Sequence, residues 1–136
     1  MKVTLGYKAD EAYYAVNEQG NRVEIDMLSP DQKNAQSPMQ LLLSALVACA
    51  AVDIVSMVKK RRKTLIDLKG EAEGIRREEI PKKFVEIHVK YTFVSPDLTD
   101  QEAERIVGLG TSKYCSVAAT INESTKITHS FEIVRP

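Results

Sequence analysis

An almost uninterrupted apolar segment, broken by a single serine, runs from residue 41 to residue 52. Just before it, Ser37 and Gln40 have the spacing of a capping box, and Pro38 suits the first position of a helix. The pattern predicts a helix within 37–63 whose basic end complements the negative pole of the helix dipole. Because a helix that is apolar on every side must be buried on every side, we expect it to be the central element of the fold.

The charge pattern limits the partners of the chain. Its 19 basic residues balance its 19 acidic residues, so neither nucleic acid nor an anionic membrane is an expected partner. The basic run from Lys59 to Lys63 is most simply a solvated helix end. Asp53 interrupts the apolar segment well below the roughly 20 residues that span a bilayer. No signal peptide is recognisable after Met1, and we expect a cytoplasmic protein.

The order of predicted elements indicates the fold class. A chain of 136 residues suffices for one domain, 1–136, and leaves no room for a separate cofactor domain. Apolar alternation and turn residues predict strands within 3–7, 12–16, 23–27, 65–75, 82–94 and 125–135, and short helices after 97 and within 112–121. This order is typical of an α+β fold, with helices packed on a mostly antiparallel sheet.

Several local expectations follow for the predicted strands. In the strand at 82–94, alternation places Val85 on the buried face and Phe84 on the wetter face. Small residues such as Gly70 in the preceding strand leave space for the central helix. Asp26, at the end of the third strand, is expected to cap that strand end.

The predicted helix after residue 97 has recognisable start and stop signals. Thr99 and Glu102 have the spacing of a capping box, which marks the beginning of the helix. Gly108 and Gly110 are expected to end it, because glycine is a poor helix former.

Two cysteines are the candidate chemical groups, Cys49 in the central helix and Cys115 at the start of a later helix. They form no CxxC motif or zinc-ligand pattern, so we expect neither a disulfide scaffold nor a metal site. A position near a helix N-terminus favours thiolate at Cys115, whereas Cys49 would need a cation from elsewhere in the fold. Each can equally be an inert core residue, because free cysteine is among the most buried residue types.

Two segments, SPMQLLLSALVAC at 37–49 and KYCSV at 113–117, resemble the cysteine motifs of the OsmC/Ohr family of osmotically inducible and organic-hydroperoxide-resistance proteins. In the first motif of that family a proline precedes the peroxidatic cysteine by eleven positions, as Pro38 precedes Cys49. The second motif carries the resolving cysteine. The resemblance implies an OsmC-like fold, with antiparallel sheets wrapped around a long central helix in an intertwined homodimer whose active sites lie at the subunit interface.

The resemblance also implies a chemistry. Cys49 would attack the O–O bond of an organic hydroperoxide and become a sulfenic acid, and Cys115 would resolve it as a disulfide that a dithiol reduces. Met39, Leu42 and Ala45, in the first turns of the helix, are the expected lining of the substrate pocket. The reaction implies no cofactor and no metal.

The chain departs from the family pattern at one position. Peroxidases of the family carry a glutamate directly after the motif proline, which helps to hold an activating arginine, and here that position is Met39. Asp53, one turn after Cys49, could hold a cation instead, but if unpaired it would raise the pKa of the thiol. Arg22 is a better candidate cation than Lys8, because its planar fork can hold a carboxylate and a substrate oxygen, although a solvated turn residue is the simpler interpretation.

Two functions and one structural interpretation therefore stay open. The first is a cysteine-based organic hydroperoxide reductase. The alternative is a catalytically weak OsmC-like binding or redox-sensing protein with an apolar interface pocket, which the missing glutamate favours. In the structural interpretation both cysteines are packing residues.

Overall fold

The computed structural model describes the whole chain, from Met1 to Pro136. Its residues group into two compact units, unit 1 (Met1–Leu42) and unit 2 (Leu43–Pro136), and one long helix begins in the first and continues in the second. The elements in chain order are β1 (Val3–Ala9), β2 (Ala12–Asn17), β3 (Arg22–Asp26), α1 (Pro38–Lys60), β4 (Asp67–Arg76), β5 (Phe84–Val94), α2 (Asp100–Ser112), α3 (Ser116–Ile121) and β6 (Lys126–Val134). The predicted α+β class is confirmed, and the single domain stays a prediction.

Unit 1 contains an antiparallel meander of β1, β2 and β3, at the three places where alternation predicted strands. The turn between β2 and β3 is built around Asn17, whose side-chain oxygen accepts the N–H groups of Gln19 at 3.1 Å and Asn21 at 2.8 Å. Gly20 has φ +86°, a left-handed conformation that glycine adopts without strain. Local turn chemistry therefore sets the register of this hairpin.

The carboxylate of Asp26 organises the loop that follows β3. Asp26 is only 3% exposed, and it accepts hydrogen bonds from the ammonium group of Lys33 at 2.7 Å and from the N–H groups of Asn34 at 2.9 Å and Ala35 at 2.8 Å. The Lys33 ammonium holds the pKa of this carboxyl below its usual value, helped by the two N–H groups. The expected strand-end cap is confirmed, and it fixes the path of the chain into α1.

The predicted capping box begins α1. The Ser37 N–H donates to Oε1 of Gln40 at 2.9 Å, and the Gln40 N–H donates to Oγ of Ser37 at 3.3 Å. Lys59 and Lys60 lie in the last turn, where their charge complements the helix dipole.

Within one chain, α1 is not buried on every side. Its fully buried residues form a single stripe at four-residue spacing, namely Leu46, Ala50, Ile54 and Val58. The other faces are half-buried or exposed, and Val52 is 71% exposed. The prediction of all-round burial is therefore wrong for the single chain. Packing within unit 2 covers only one face of the helix between Leu46 and Val58.

In the sequence, the interruption of the apolar segment by Asp53 argued against a membrane span, but α1 continues past Asp53 to Lys60. The helix has 23 residues and a mean hydropathy of 2.4 over its most apolar window, so by length and composition alone it could cross a bilayer. The core helix of a soluble protein passes the same test, and 22% of that window of α1 is buried within the chain.

Unit 2 contains the second sheet, in the order β4-β5-β6. β4 and β5 are antiparallel, whereas β6 runs parallel to β5. The sequence predicted a mostly antiparallel sheet and did not indicate that its last pair of strands is parallel. Parallel neighbours require a crossover connection, and α2 and α3 provide it, with α2 packed against β6 and against α3.

A β-bulge reverses the predicted faces at the start of β5. Ile75 pairs with Glu86 and Arg76 pairs with Phe84, so Val85 has no partner on β4. Phe84 is consequently buried, at 5% exposed, and Val85 is 39% exposed, the opposite of the prediction. One extra residue exchanges the two faces, because side chains alternate along a strand.

The glycines expected to end α2 lie inside it. The capping box of Thr99 and Glu102 is present, but the helix continues through Gly108 and Gly110 as far as Ser112. A Cβ atom at Gly110 would lie 2.7 Å from Cγ1 of Ile54. Gly110 therefore allows α2 to approach α1 closely, and the prediction of a helix end at these glycines is wrong.

Candidate functional site

The fold brings the two cysteines together. Cys49 lies in the middle of α1 and Cys115 is the N-cap residue of α3, yet their thiol groups are hydrogen-bond partners in unit 2. Both cysteines are free thiols, with Cys49 half-buried and Cys115 only 2% exposed. The arrangement places one partly accessible sulfur beside one enclosed sulfur.

Hydrogen-bond donors from α3 surround the sulfur of Cys49. The N–H group of Val117 is the main cause that holds the pKa of Cys49 below its usual value, with further hydrogen bonds from Cys115 and from the N–H group of Ser116. Partial burial and the nearby carboxylate of Asp53 act in the opposite direction. The net effect favours the thiolate at Cys49, because hydrogen bonds to a charged group stabilise that form.

Cys115 has the opposite tendency. Burial is the main cause that raises its pKa, and the neighbouring thiol of Cys49 raises it further. The Ala118 N–H donates to Sγ of Cys115 at 3.3 Å but does not reverse the effect. The expectation that the helix N-terminus ionises Cys115 therefore differs from the structure, in which the N–H groups of Ser116 and Val117 act on Cys49.

Tyr91 of β5 lies close to both cysteines, and the sequence did not single it out as a candidate residue. Its side chain is fully buried, and its hydroxyl donates to the carbonyl oxygen of Val47 in α1 at 2.6 Å. Burial raises the pKa of Tyr91, and negative charge on Cys115 and on Cys49 raises it further, so the phenol stays protonated. The signal in the sequence that could have identified Tyr91 is its hydroxyl on an otherwise apolar strand face, because a buried tyrosine hydroxyl needs a hydrogen-bond partner.

The candidate residue Asp53 is half-buried and makes no ion pair within the chain. The sequence left two roles open for Asp53, holding a cation or raising the pKa of the Cys49 thiol. Within the single chain its charge raises the pKa of Cys49. No lysine or arginine of unit 2 is among the groups that act on Cys49.

The two candidate cations lie in unit 1, where both contact the same carboxylate. Arg22 pairs with Glu24, and its guanidinium group lies 3.8 Å from the centre of the Tyr14 ring. Lys8 pairs with Glu24 at 3.0 Å. Hydrogen bonds from Arg22 and then from Lys8 lower the pKa of Glu24. Arg22 is therefore held by a carboxylate and an aromatic ring rather than being only a solvated turn residue.

The expected pocket residues lie on the first turns of α1. Met39 and Leu42 are half-buried and Ala45 is exposed. Leu42, Ala45 and Cys49 are spaced by three and four residues, so they share one face of the helix. Their role in substrate binding stays a prediction.

Comparisons with known proteins agree with this fold. The profile of the OsmC-like protein family matches residues 30–130. Protein YhfA of Escherichia coli K12 is 37% identical over 115 residues, which cover 85% of this chain and 84% of YhfA.

Solved structures extend the comparison to the whole chain. A hypothetical protein of Aquifex aeolicus is 30% identical with a TM-score of 0.87, over 99% of this chain and 96% of its own. An organic hydroperoxide resistance protein of Legionella pneumophila, 18% identical, has the same fold with a TM-score of 0.69 over 97% of each chain. The resemblance stated from the two motifs is confirmed, and the chain belongs to the OsmC-like protein family.

Proposed function

We propose that this protein is a thiol-dependent peroxidase that reduces organic hydroperoxides through Cys49 and Cys115. The observation that carries the proposal is the difference between two adjacent thiols. Cys49 is half-buried with a lowered pKa, and Cys115 is enclosed with a raised pKa. A thiolate is the nucleophile in thiol chemistry, so Cys49 is the attacking group and Cys115 the partner that keeps its proton.

Each step of the proposed cycle balances. The Cys49 thiolate attacks the terminal oxygen of the hydroperoxide, an S–O bond forms, the O–O bond breaks, and the alkoxide takes up a proton to leave as an alcohol. The sulfur of Cys115 then attacks the sulfur of Cys49, an S–S bond forms and the S–O bond breaks, and the sulfenic hydroxyl group leaves with the proton of Cys115 as water. A dithiol reductant exchanges with the disulfide and supplies two electrons.

The contact between the thiols supports the resolving role of Cys115. A sulfenic acid formed at Cys49 would have Cys115 as its neighbour, which favours the disulfide over reaction with a second hydroperoxide. Fast resolution protects Cys49 from irreversible oxidation to the sulfinic acid.

A homodimer is part of the proposal. The apolar helix α1 is buried along one stripe only, and Val3, Leu5 and Tyr7 on β1 are more than 60% exposed. Apolar surfaces of this kind mark interaction sites, and a two-fold interface would cover them in both protomers. Sedimentation should show a particle of twice the 15.2 kDa chain mass, and a 15.2 kDa species alone at micromolar concentration would contradict the dimer.

The substrate is expected to bind where the face of α1 that carries Cys49 meets the dimer interface. Met39, Leu42 and Ala45 supply apolar surface there, which suits the organic part of a hydroperoxide. A reducing cytoplasm is the expected location, because the cycle needs free thiols and a dithiol donor.

The alternative function is a catalytically weak binding or redox-sensing protein. Met39 replaces the glutamate of the family peroxidases, and within unit 2 no cation assists Cys49. Both observations favour slow turnover. An apolar ligand that co-purifies with a chain inactive toward hydroperoxides would support this function.

Stopped-flow consumption of tert-butyl hydroperoxide in the presence of dithiothreitol tests the proposal. The unmodified protein should turn over and Cys49→Ser should be inactive. With no dithiol present, Cys115→Ser should consume one equivalent and accumulate the Cys49 sulfenic acid instead of the disulfide. Equal rates for the unmodified protein and Cys49→Ser would exclude Cys49 as the nucleophile. Mass spectrometry after mild peroxide treatment should find the Cys49–Cys115 disulfide.

A further inference from the structure

We propose that Tyr91 is a positioning residue for the cysteine pair, because its hydroxyl holds the turn of α1 that carries Cys49 in contact with Cys115. The inference rests on the proposed function and adds a residue of β5 to that site. Neither cysteine motif includes Tyr91, and it does not touch the substrate in this proposal.

The hydrogen bond of Tyr91 is unusual in its acceptor. Its hydroxyl donates at 2.6 Å to the carbonyl oxygen of Val47, a residue in the interior of α1. Carbonyl groups there already accept the N–H group four residues later, so α1 does not need this bond to form. The bond instead ties one turn of the helix to the sheet, two residues before Cys49.

Gly70 of β4 makes room for this placement of the ring. A Cβ atom at Gly70 would lie 3.0 Å from Cε1 of Tyr91 and 2.7 Å from Cγ2 of Val47. Glycine at this position of β4 therefore lets the ring and the helix approach the sheet together. Tyr91 is fully buried, and buried hydroxyl groups are hydrogen-bonded as a rule, here to the carbonyl oxygen of Val47.

The hydrogen bond acts on Cys49 through its position in α1, because Val47 lies two residues before Cys49. Negative charge on Cys49 and on Cys115 acts on the phenol of Tyr91, so both sulfurs lie close to this anchor. The hydrogen bonds that favour the Cys49 thiolate come from α3, whereas Cys49 itself is carried by α1. A small shift of α1 would lengthen those bonds, which weaken steeply as their geometry departs from the optimum.

Tyr91→Phe is the direct test, because it removes the hydroxyl and keeps the ring. Thr125→Val is the matched control: Thr125 is 6% exposed, its hydroxyl donates to the carbonyl oxygen of Phe84 at 2.9 Å, and it acts on neither thiol. Each variant loses one buried hydroxyl that donates to a backbone carbonyl. A loss of stability alone should therefore affect both variants alike.

The readouts are the pH profile of Cys49 alkylation by iodoacetamide and the rate of disulfide formation with diamide. We expect Tyr91→Phe to slow alkylation at neutral pH by roughly three- to tenfold, equivalent to a rise of about half to one unit in the pKa of Cys49, and to slow disulfide formation. Thr125→Val should match the unmodified protein in both assays. Coincident profiles for Tyr91→Phe and the unmodified protein, or an equal shift in Thr125→Val, would overturn the proposal.

A second variant covers the case in which Tyr91→Phe does not fold. Gly70→Ala keeps the phenol but pushes against Val47, so it should shift the alkylation profile in the same direction, and an unchanged profile would count against the positioning role. Neither assay uses a hydroperoxide. If the protein fails to reduce hydroperoxides, the proposed function is refuted. The alkylation and diamide assays would still measure whether Tyr91 positions Cys49.

Discussion

Cys115 and Cys49 both accept hydrogen bonds from N–H groups in the first turn of α3. The sulfur of Cys115 accepts the N–H group of Ala118 at 3.3 Å, and Cys49 accepts the N–H groups of Val117 and Ser116. Cys115 is nevertheless the more enclosed of the two, and burial disfavours its charged form. The donors of α3 therefore favour a thiolate on the neighbouring helix rather than on the residue that caps α3.

The first prediction concerns the pH dependence of thiol reactivity. Because the pKa of Cys49 is lowered and that of Cys115 is raised, iodoacetamide should modify Cys49 first, below the ordinary thiol pKa of about 8.5. The alkylation rate should fall as the pH falls through the pKa of Cys49. Peptide mass spectrometry after timed alkylation measures both sites.

The same shift has a consequence for stability. A lowered folded-state pKa means that the Cys49 thiolate stabilises the fold above the unfolded pKa of about 8.5, and that this contribution is lost as the pH falls through the folded pKa. Cys49→Ser should remove this pH dependence from the urea midpoint. Faster alkylation of Cys115 than of Cys49 would contradict the assignment of the nucleophile.

The second prediction concerns Asp53. Its negative charge raises the pKa of Cys49, so Asp53→Asn should lower that pKa and speed alkylation at pH 7 by roughly two- to threefold. Asp67→Asn, at an exposed position of β4, should leave the rate unchanged. Slower alkylation in Asp53→Asn would instead indicate that the carboxylate holds a cation beside Cys49 in the assembled protein.

The third prediction compares the two glycines of α2. A Cβ atom at Gly110 would lie 2.7 Å from Cγ1 of Ile54, and overpacking of this kind costs about 1–3 kcal/mol, so Gly110→Ala should lower the free energy of unfolding. At Gly108 the nearest atom would be Nε2 of His129 at 3.6 Å, an ordinary contact. Gly108→Ala should therefore be neutral or stabilising by up to about 1 kcal/mol, from helix propensity alone. Denaturant titration of both variants measures the difference, and equal effects would argue against close packing of α2 on α1.

The fourth prediction concerns the loop before α1. The pKa of Asp26 is lowered, chiefly by Lys33, so its carboxylate stabilises the fold above the unfolded pKa of about 3.9, and this contribution is lost as the pH falls through the lower folded pKa. Asp26→Asn should lower the urea midpoint at neutral pH, and its difference from the unmodified protein should shrink in acid.

Asp31→Asn is the control for the loop. Asp31 lies in the same loop but is exposed, and it accepts a single hydrogen bond from the hydroxyl of Ser29. Its removal should leave the midpoint nearly unchanged. A pH-independent loss in Asp26→Asn would show that shape rather than charge holds the loop.

Features with a local cause could be predicted from the sequence. The capping boxes of Ser37 with Gln40 and of Thr99 with Glu102 involve residues three positions apart, and both occur as predicted. The motif around Cys49 was likewise sufficient to indicate the family, which the match over residues 30–130 confirms.

Features with a nonlocal cause could not be predicted in this way. Gly110 lies inside α2 because Ile54 approaches it from another helix, and the bulge at Val85 depends on pairing with β4. The state of Cys49 depends on N–H groups of α3, so an argument that considered each cysteine only within its own helix assigned the favoured thiolate to Cys115. Each difference comes from a neighbour that is distant in sequence.

The parallel pairing of β5 with β6 gives the second cysteine an unusual setting. Both strands are fixed in the sheet, and Cys115 lies in the crossover between them rather than on either strand. Exchange of the 95–125 connection between homologous chains would therefore give Cys49 a different partner while every pair of strands stays intact. The pairing of the strands and the redox partner of Cys49 are in this sense set by different segments of the chain.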